Sequence, residues 1–286
     1  VPEGDSVYRL ARRLDASLRG RRVVRSDVRV PQLATLDLAG RTVDEHVTHG
    51  KHLLTRFSGG LTLHSHLRMD GEWTVTGVGR RLPARLGHEV RLVLTTDAGT
   101  TAYGLRLHDL RAVPTRREAD LVGHLGPDPL RDDWDPDEAV RRLAADPARP
   151  LVAALLDQRL VAGLGNLWAN ELAFLTGTSP WTPVGEVDVP ALVDRAATWL
   201  RRSATVAGAY QVTTPQVLPG RARRGEEHWV SGRAHRPCLR CGTTVRVVDE
   251  RPGDPERRRT WWCATCQPGP VPRDRTPVPV RGRPRA

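Results

Sequence analysis

Apolar residues recur at helical spacing near the start of the chain. Val7, Leu10, Leu14 and Leu18 fall on one face of residues 6–20, which predicts an amphipathic helix. Asp5 or Ser6 is placed to cap its start, and Gly20 stands at its end. The period then changes to two. LLTRF and LTLHSHL flank Ser58-Gly59-Gly60, and EVRLVLTT and TTAYGLRL flank Asp97-Ala98-Gly99. Both stretches read as hairpins. Strands with polar alternation and short turns predict an antiparallel sandwich or barrel running to about residue 115.

From residue 116 the texture changes. LVGHLGPDPL reads as a linker into a helical region. Asp135-Pro136-Asp137-Glu138 is a cap followed by a first-turn proline. Further helices are expected at 151–160, 166–176 and 189–207. Residues 210–236 are polar and arginine-rich and read as a mobile loop. The end of the chain, rich in proline and arginine, is expected to be disordered. There is no internal repeat.

Composition narrows the partners. The 286 residues carry a net charge of +11. That points first to nucleic acid, because basic contacts to phosphate supply most non-specific affinity. A membrane surface comes second, since no basic amphipathic helix stands out. No apolar stretch approaches the ~20 residues of a membrane span, and the start lacks a signal-peptide core. An intracellular protein is the expectation.

Lys51, in HGKHLLTRF, is the only lysine; every other member of the 44 basic residues is arginine. A lone lysine suits a site that needs a compact ammonium with three rotatable donors. Chance survival at the surface explains it equally well. The four cysteines are clustered too. Cys238, Cys241, Cys263 and Cys266 form two Cys-x-x-Cys pairs separated by a stretch able to form a β-hairpin, with a turn at 252–255. Two such knuckles complete a tetrahedral Zn2+ site. Arg257, Arg258 and Arg259 crowd the hairpin, where like charges repel unless solvated or facing phosphate. In LLDQRLVAGLGNLWANELAF, Asn166 opens a helix after Gly163-Leu164-Gly165, and asparagine is a favoured cap. Free N–H groups at a helix start bind phosphate, although an ordinary helical corner has the same pattern.

Four stretches, taken in order, resemble the formamidopyrimidine-DNA glycosylase and endonuclease VIII family: PEGD, HGKHLLTRF, LLDQRLVAGLGN and RRTWWCATCQ. They extend from residue 2 to residue 267. The PEGD opening is similar to endonuclease VIII proteins rather than to the PELPEVE of formamidopyrimidine glycosylases. The resemblance implies an α+β chain: a helix and antiparallel β-sandwich (1–118), a helical domain with a helix–two-turn–helix motif (119–228), a four-cysteine zinc finger (229–268) and a basic tail (269–286). It implies a bifunctional DNA glycosylase and AP lyase, cytoplasmic and nucleoid-associated, acting as a monomer on oxidised bases or abasic sites. By motif position Pro2 is the nucleophile, Glu3 the acid–base residue and Lys51 the catalytic lysine, while Asn166 and Arg258 grip phosphates. The family inserts side chains from the loop matching Arg68 and Met69; a flexible thioether suits a wedge between bases.

The chemistry fits those residue types. An N-terminal proline is a secondary amine of lower pKa than a lysine side chain, so it can attack a sugar carbon and form an imine. This requires that Val1 be absent, as when a non-standard start codon is read as methionine and removed. HDLRAV at 108–113 lacks the DPRRFG pattern of formamidopyrimidine glycosylases, which favours oxidised pyrimidines over oxidised guanine and leaves Arg111 without an assigned role as reader of the opposite base. His64 and His66 share a strand face and read as structural. The rival readings are a non-catalytic protein that binds damaged or branched DNA on the same scaffold, and a zinc-ribbon RNA-binding factor.

Overall fold

The computed structural model describes residues 2–215, 225–249 and 258–271. The chain divides into two compact units between Asp133 and Trp134.

The first unit opens with helix α1 (Gly4–Leu18). The helix starts earlier than its sequence suggests. Glu3, not Asp5 or Ser6, is the cap, and its backbone N–H donates to Ser6 Oγ at 3.2 Å. At the other end Gly20 takes φ +74°, the left-handed conformation that favours glycine after a helix. Eight strands follow: β1 (Val23–Val28), β2 (Val43–His49), β3 (His52–Phe57), β4 (Leu61–His66), β5 (Glu72–Thr76), β6 (Val90–Thr96), β7 (Thr101–Leu105) and β8 (Asp109–Pro114). They form two four-stranded antiparallel sheets, ordered β1-β6-β7-β5 and β2-β3-β4-β8. Both expected hairpins are present, β3–β4 and β6–β7. Val7, Leu10, Leu14 and Leu18 of α1 pack with Leu53, Phe57, Leu63, Trp73, Leu92 and Leu94 in one core.

Alternation along β3 and β4 gives their sheet a second, polar face. Arg56, on that face, donates to both oxygens of Glu118, at 2.8 and 2.6 Å, and Thr62 Oγ1 donates to the same carboxylate. After the short helix α2 (Ala119–Val122), residues 124–130 do not behave as a linker. His49 Nε2 meets the Gly126 carbonyl at 3.0 Å, and the Gly50 N–H donates to Asp128 Oδ2 at 2.7 Å. The LGPDPL stretch is thus tied to the β2–β3 turn within the first unit.

The second unit contains α3 (Pro136–Ala144), α4 (Leu151–Leu155), α5 (Asn166–Leu175) and α6 (Val189–Thr205), then the strands β9 (Arg246–Asp249) and β10 (Arg259–Trp262). Asp135 caps α3 by accepting the Glu138 N–H, with Pro136 in the first turn. The helix expected at 151–160 stops at Leu155. Asp157 accepts the Arg159 N–H, and Gln158 accepts the Gly163 N–H while donating to the Leu164 carbonyl. Side chains there supply turn bonds that compete with helix continuation. The hairpin turn expected at 252–255, Arg257 and the tail from 272 onward lie outside the described residues.

Candidate functional site

Pro2 is half-buried directly before α1, and Glu3 is only 2% exposed. The Glu3 carboxyl group is therefore held one residue from Pro2 at the positive end of a fifteen-residue helix.

Lys51 sits in the two-residue turn between β2 and β3, with His49 paired to His52 across it. Gly50 takes φ +57° there, as such tight turns require. The turn is tied down on several sides. Besides His49 and Gly50, His52 Nδ1 lies 2.8 Å from His64 Nε2 on β4. The His52 ring stacks on His64 at 5.0 Å and meets His66 edge-on at 4.8 Å. Asp128, 2% exposed, also accepts the Leu130 N–H at 2.8 Å. Burial pushes its carboxyl up to about 6, against the two backbone donors that favour the charged form. Burial likewise pulls His52 down to about 3 and His64 to about 4, with neighbouring histidines adding to the effect.

Met69 is 57% exposed on the loop between β4 and β5, so it is not core filling. Beside it Arg68 takes φ +51° and reaches Asp109 at 3.2 Å. Gly71 closes the loop by donating to the Leu67 carbonyl; a Cβ at Gly71 would stand 2.5 Å from that oxygen, so only glycine fits.

In the second unit Gly165, with extended backbone, takes the cap position of α5 in place of Asn166. The Asn166 amide is used differently: Nδ2 donates to the Arg259 carbonyl at 2.9 Å. Asn170, one turn on, donates to the same carbonyl and accepts the Trp261 N–H at 2.8 Å. The helix start is therefore joined to strand β10, with Arg258 immediately before it. Glu171 is wholly buried and accepts the N–H groups of Trp229, Val230 and Ser231 at 2.8–2.9 Å, and the Thr213 hydroxyl. The stretch expected to be a mobile loop is thus anchored at 213 and 229–231, while 216–224 lie outside the described residues. Gln267 links the finger to the helices by accepting the Cys263 N–H and donating to the Thr178 carbonyl.

The Sγ atoms of Cys238, Cys241, Cys263 and Cys266 all lie within 4.8 Å of one another, with Cys241–Cys263 at 3.4 Å and Cys238–Cys266 at 4.0 Å. A tetrahedral metal with bonds of about 2.3 Å needs sulfurs roughly 3.8 Å apart, so these thiols fit a metal ion. The Thr243 hydroxyl and backbone hold Cys241 down at about 6, whereas burial pushes Cys263 and Cys266 up. Four thiolates this close need a cation to ionise together.

Sequence reading missed Asp128, His49, His52, Asn170, Glu171 and Gln267. Glu171 left a signal, as the one acid in the apolar helix NLWANELAFL. The partners of Asp128 and the histidines are distant in sequence, so no local pattern marked them. Among the predicted residues, Pro2, Glu3, Lys51, Arg68 and Met69 belong to the first unit, and Asn166, Arg258 and the cysteines to the second.

A helix on a β-sandwich, then a helical unit with a four-cysteine finger, defines a class of DNA-repair glycosylase folds, and comparison agrees. The formamidopyrimidine-DNA glycosylase N-terminal domain matches residues 1–115, and the formamidopyrimidine-DNA glycosylase H2TH domain matches 125–211. A "probable endonuclease 8 2" of Streptomyces coelicolor is 51% identical over 99% of this chain and all of its own length. A "DNA-(apurinic or apyrimidinic site) lyase Nei2" of Mycolicibacterium smegmatis is 44% identical over 93% of this chain and 99% of its own. The fold matches a Lactococcus lactis Fpg crystallised with DNA containing N7-benzyl-Fapy-dG, at a TM-score of 0.74 and 22% identity, covering 94% of this chain and all of that one. The chain belongs to the formamidopyrimidine-DNA glycosylase and endonuclease VIII family, and is of the endonuclease VIII type. It is a DNA glycosylase and AP lyase of base-excision repair.

Proposed function

We propose that the chain, as a monomer, removes oxidised pyrimidines from DNA through an imine at Pro2 and then cuts the strand by β,δ-elimination. The neutral Pro2 amine attacks C1′ of the extruded nucleotide, and the base leaves with a proton. The resulting iminium acidifies the C2′ proton, whose removal expels the 3′ phosphate; a second elimination expels the 5′ phosphate. Water then hydrolyses the imine and frees Pro2. Glu3, adjacent in the chain and buried, moves the protons of these steps. Lys51 binds phosphate or polarises the leaving base. Met69, exposed on its loop, fills the space the base vacates, with Arg68 beside it. Asn166 and Arg258 hold phosphates at the junction of α5 and the finger. A Zn2+ ion, when bound by the four cysteines, neutralises their thiolates and shapes the finger. No described helix is long and apolar enough to cross a membrane, and the reading places the protein in the bacterial cytoplasm with the nucleoid.

The observation that carries the reading is the Pro2–Glu3 pair at the head of α1, on a chain matched to the family over almost its full length. The mechanism requires that Pro2 be the first residue of the mature protein, which an intact-mass measurement tests. Such protein is then incubated with borohydride and duplexes carrying thymine glycol or an abasic site. A covalent adduct is expected, reduced in a Pro2→Gly variant. Complete absence of adduct and cleavage on every lesion would sink the imine route and favour a binding protein.

A further inference from the structure

The histidines around the Lys51 turn have no part in the chemistry above, yet they form an organised group. His49 and His52 flank the Gly50-Lys51 turn. His49 is tied to the Gly126 carbonyl, and His52 is tied to His64 on the neighbouring strand. His66 and His124 complete the group, their rings edge-on to His52 at 4.8 and 6.3 Å. Among the described residues, the cysteines alone bring three or more candidate metal-ligand atoms close together.

The direction of the His52–His64 bond follows from burial. His64 is 3% exposed, and its Nδ1 has no hydrogen-bond partner among the described residues. Neutral His64 carries a single ring proton. Were that proton on Nδ1, an N–H donor would be buried unpaired, a costly arrangement. With the proton on Nε2, His64 donates to the Nδ1 lone pair of His52 and only a lone pair is left unmet at Nδ1. His52 then keeps its own proton on Nε2. The pair is thus a directed contact from β4 to the residue that follows Lys51.

We propose that His52 and His64 are positioning residues for Lys51, fixing through one directed imidazole–imidazole hydrogen bond the turn that carries the lysine. The proposal rests on the reading of Lys51 as part of the glycosylase machinery. It makes a geometric forecast that simple space-filling does not. An asparagine amide occupies the place of a histidine Nδ1, and a glutamine amide that of Nε2. His52→Asn and His64→Gln therefore preserve the contact. His52→Gln and His64→Asn break it, although the four variants contain only the same two amide types.

The test uses the full chain with a verified N-terminus. Single-turnover excision is measured on a thymine-glycol duplex, affinity on a duplex carrying a non-cleavable tetrahydrofuran abasic analogue, and hydrogen exchange at the amides of residues 49–52. His52→Ala and His64→Ala are expected to slow excision about 10- to 100-fold, the scale of a displaced catalytic group, while affinity changes less than about twofold. Exchange at the turn should quicken in the same variants. His52→Asn and His64→Gln should return excision to within roughly threefold of the parent, and the crossed pair should not. Equal behaviour of all four amide variants overturns the proposal, as does parent-like excision and exchange in the alanine variants. Should an alanine variant fail to fold, the amide set still decides. A parent protein that excises nothing defeats the functional reading instead, and the exchange data then judge whether the pair fixes the turn.

Discussion

The Lys51 turn and the cysteine finger each hold basic residues on a β-hairpin, but by different chemistry. The turn is held by hydrogen bonds among the half-buried His49 and His52 and the buried His64 and Asp128, with backbone partners from 126 and 50. The finger hangs on four thiols whose spacing suits a metal, reinforced by Asn166, Asn170 and Glu171 from the helices and by its own Gln267, which reaches the Thr178 carbonyl. The turn is part of a unit with a large apolar core and needs only local fixing. The described part of the finger buries few apolar side chains of its own, among them Val230, Val245 and two cysteines against Phe174, so a metal held by the four thiols would supply what a small core does not. The first device is exposed to proton concentration, the second to metal supply.

Metal removal should have the largest effect. Cys238→Ser, or a strong chelator, withdraws metal binding worth on the order of 10 kcal/mol in small fingers. Loss of one equivalent of zinc, together with collapse of protection in residues 258–263 while β2–β4 stay protected, is expected. A finger that keeps its protection without metal would erase the contrast between the two devices.

Lys51→Arg comes next. It keeps the charge but replaces a compact ammonium with a planar fork. Excision should fall about 100-fold, or roughly 2.7 kcal/mol of barrier, with the melting temperature unchanged. Parent-level turnover would make the lone lysine an accident of composition.

Glu171→Gln should follow. The carboxylate accepts three backbone N–H groups and a hydroxyl, and an amide presents two donors where only acceptors fit. A loss of about 2–4 kcal/mol is expected for the second unit, read by thermal or denaturant unfolding. The amides of β3 and β4 should be unaffected.

The smallest effect is acid sensitivity of the turn. Burial holds His52 at about 3 and His64 at about 4, against 6.5 when unfolded. Their contribution is complete above pH 6.5. As pH falls below that value the unfolded chain gains protons that the folded chain refuses, so stability declines. Asp128 has the opposite sign. Its pKa is raised by burial from 3.8 to about 6, so the folded chain takes up a proton first and gains stability as pH falls from 6 towards 3.8. Between pH 6 and 4 it offsets one histidine, leaving a net loss of about 1–2 kcal/mol per pH unit at most. His49, also held low by burial, pulls the same way; His66, His124, Asp109 and Arg111 surround the group. Hydrogen exchange of the turn across this range measures the slope, and Asp128→Asn should steepen it. An unchanged slope would remove Asp128 from the balance.

Much of the fold was legible because its determinants are local. The 3.6 period of α1, the Gly59-Gly60 and Ala98-Gly99 turns and the Asp135-Pro136 start of α3 each lie within a few residues of what they control. The paired cysteines were legible for the same reason. The early end of α4 was not, because side chains from Asp157 and Gln158 form alternative bonds that an apolar run does not reveal. LGPDPL read as a linker because its composition suits one; its buried acid has meaning only beside Gly50. Asn166 read as a cap because it begins a helix, yet its amide is spent on Arg259, far along the chain.

The sequence by itself determined most of the elements, the family and the candidate reactive groups, since short-range periodicity, turn chemistry and ordered motifs are written in neighbouring residues. Only the tertiary structure decided how those groups are held: which histidine faces which, what Asp128 and Glu171 accept, and how the finger meets α5. Such contacts join residues tens of positions apart, and burial sets their protonation, so they come into being only when the chain has folded.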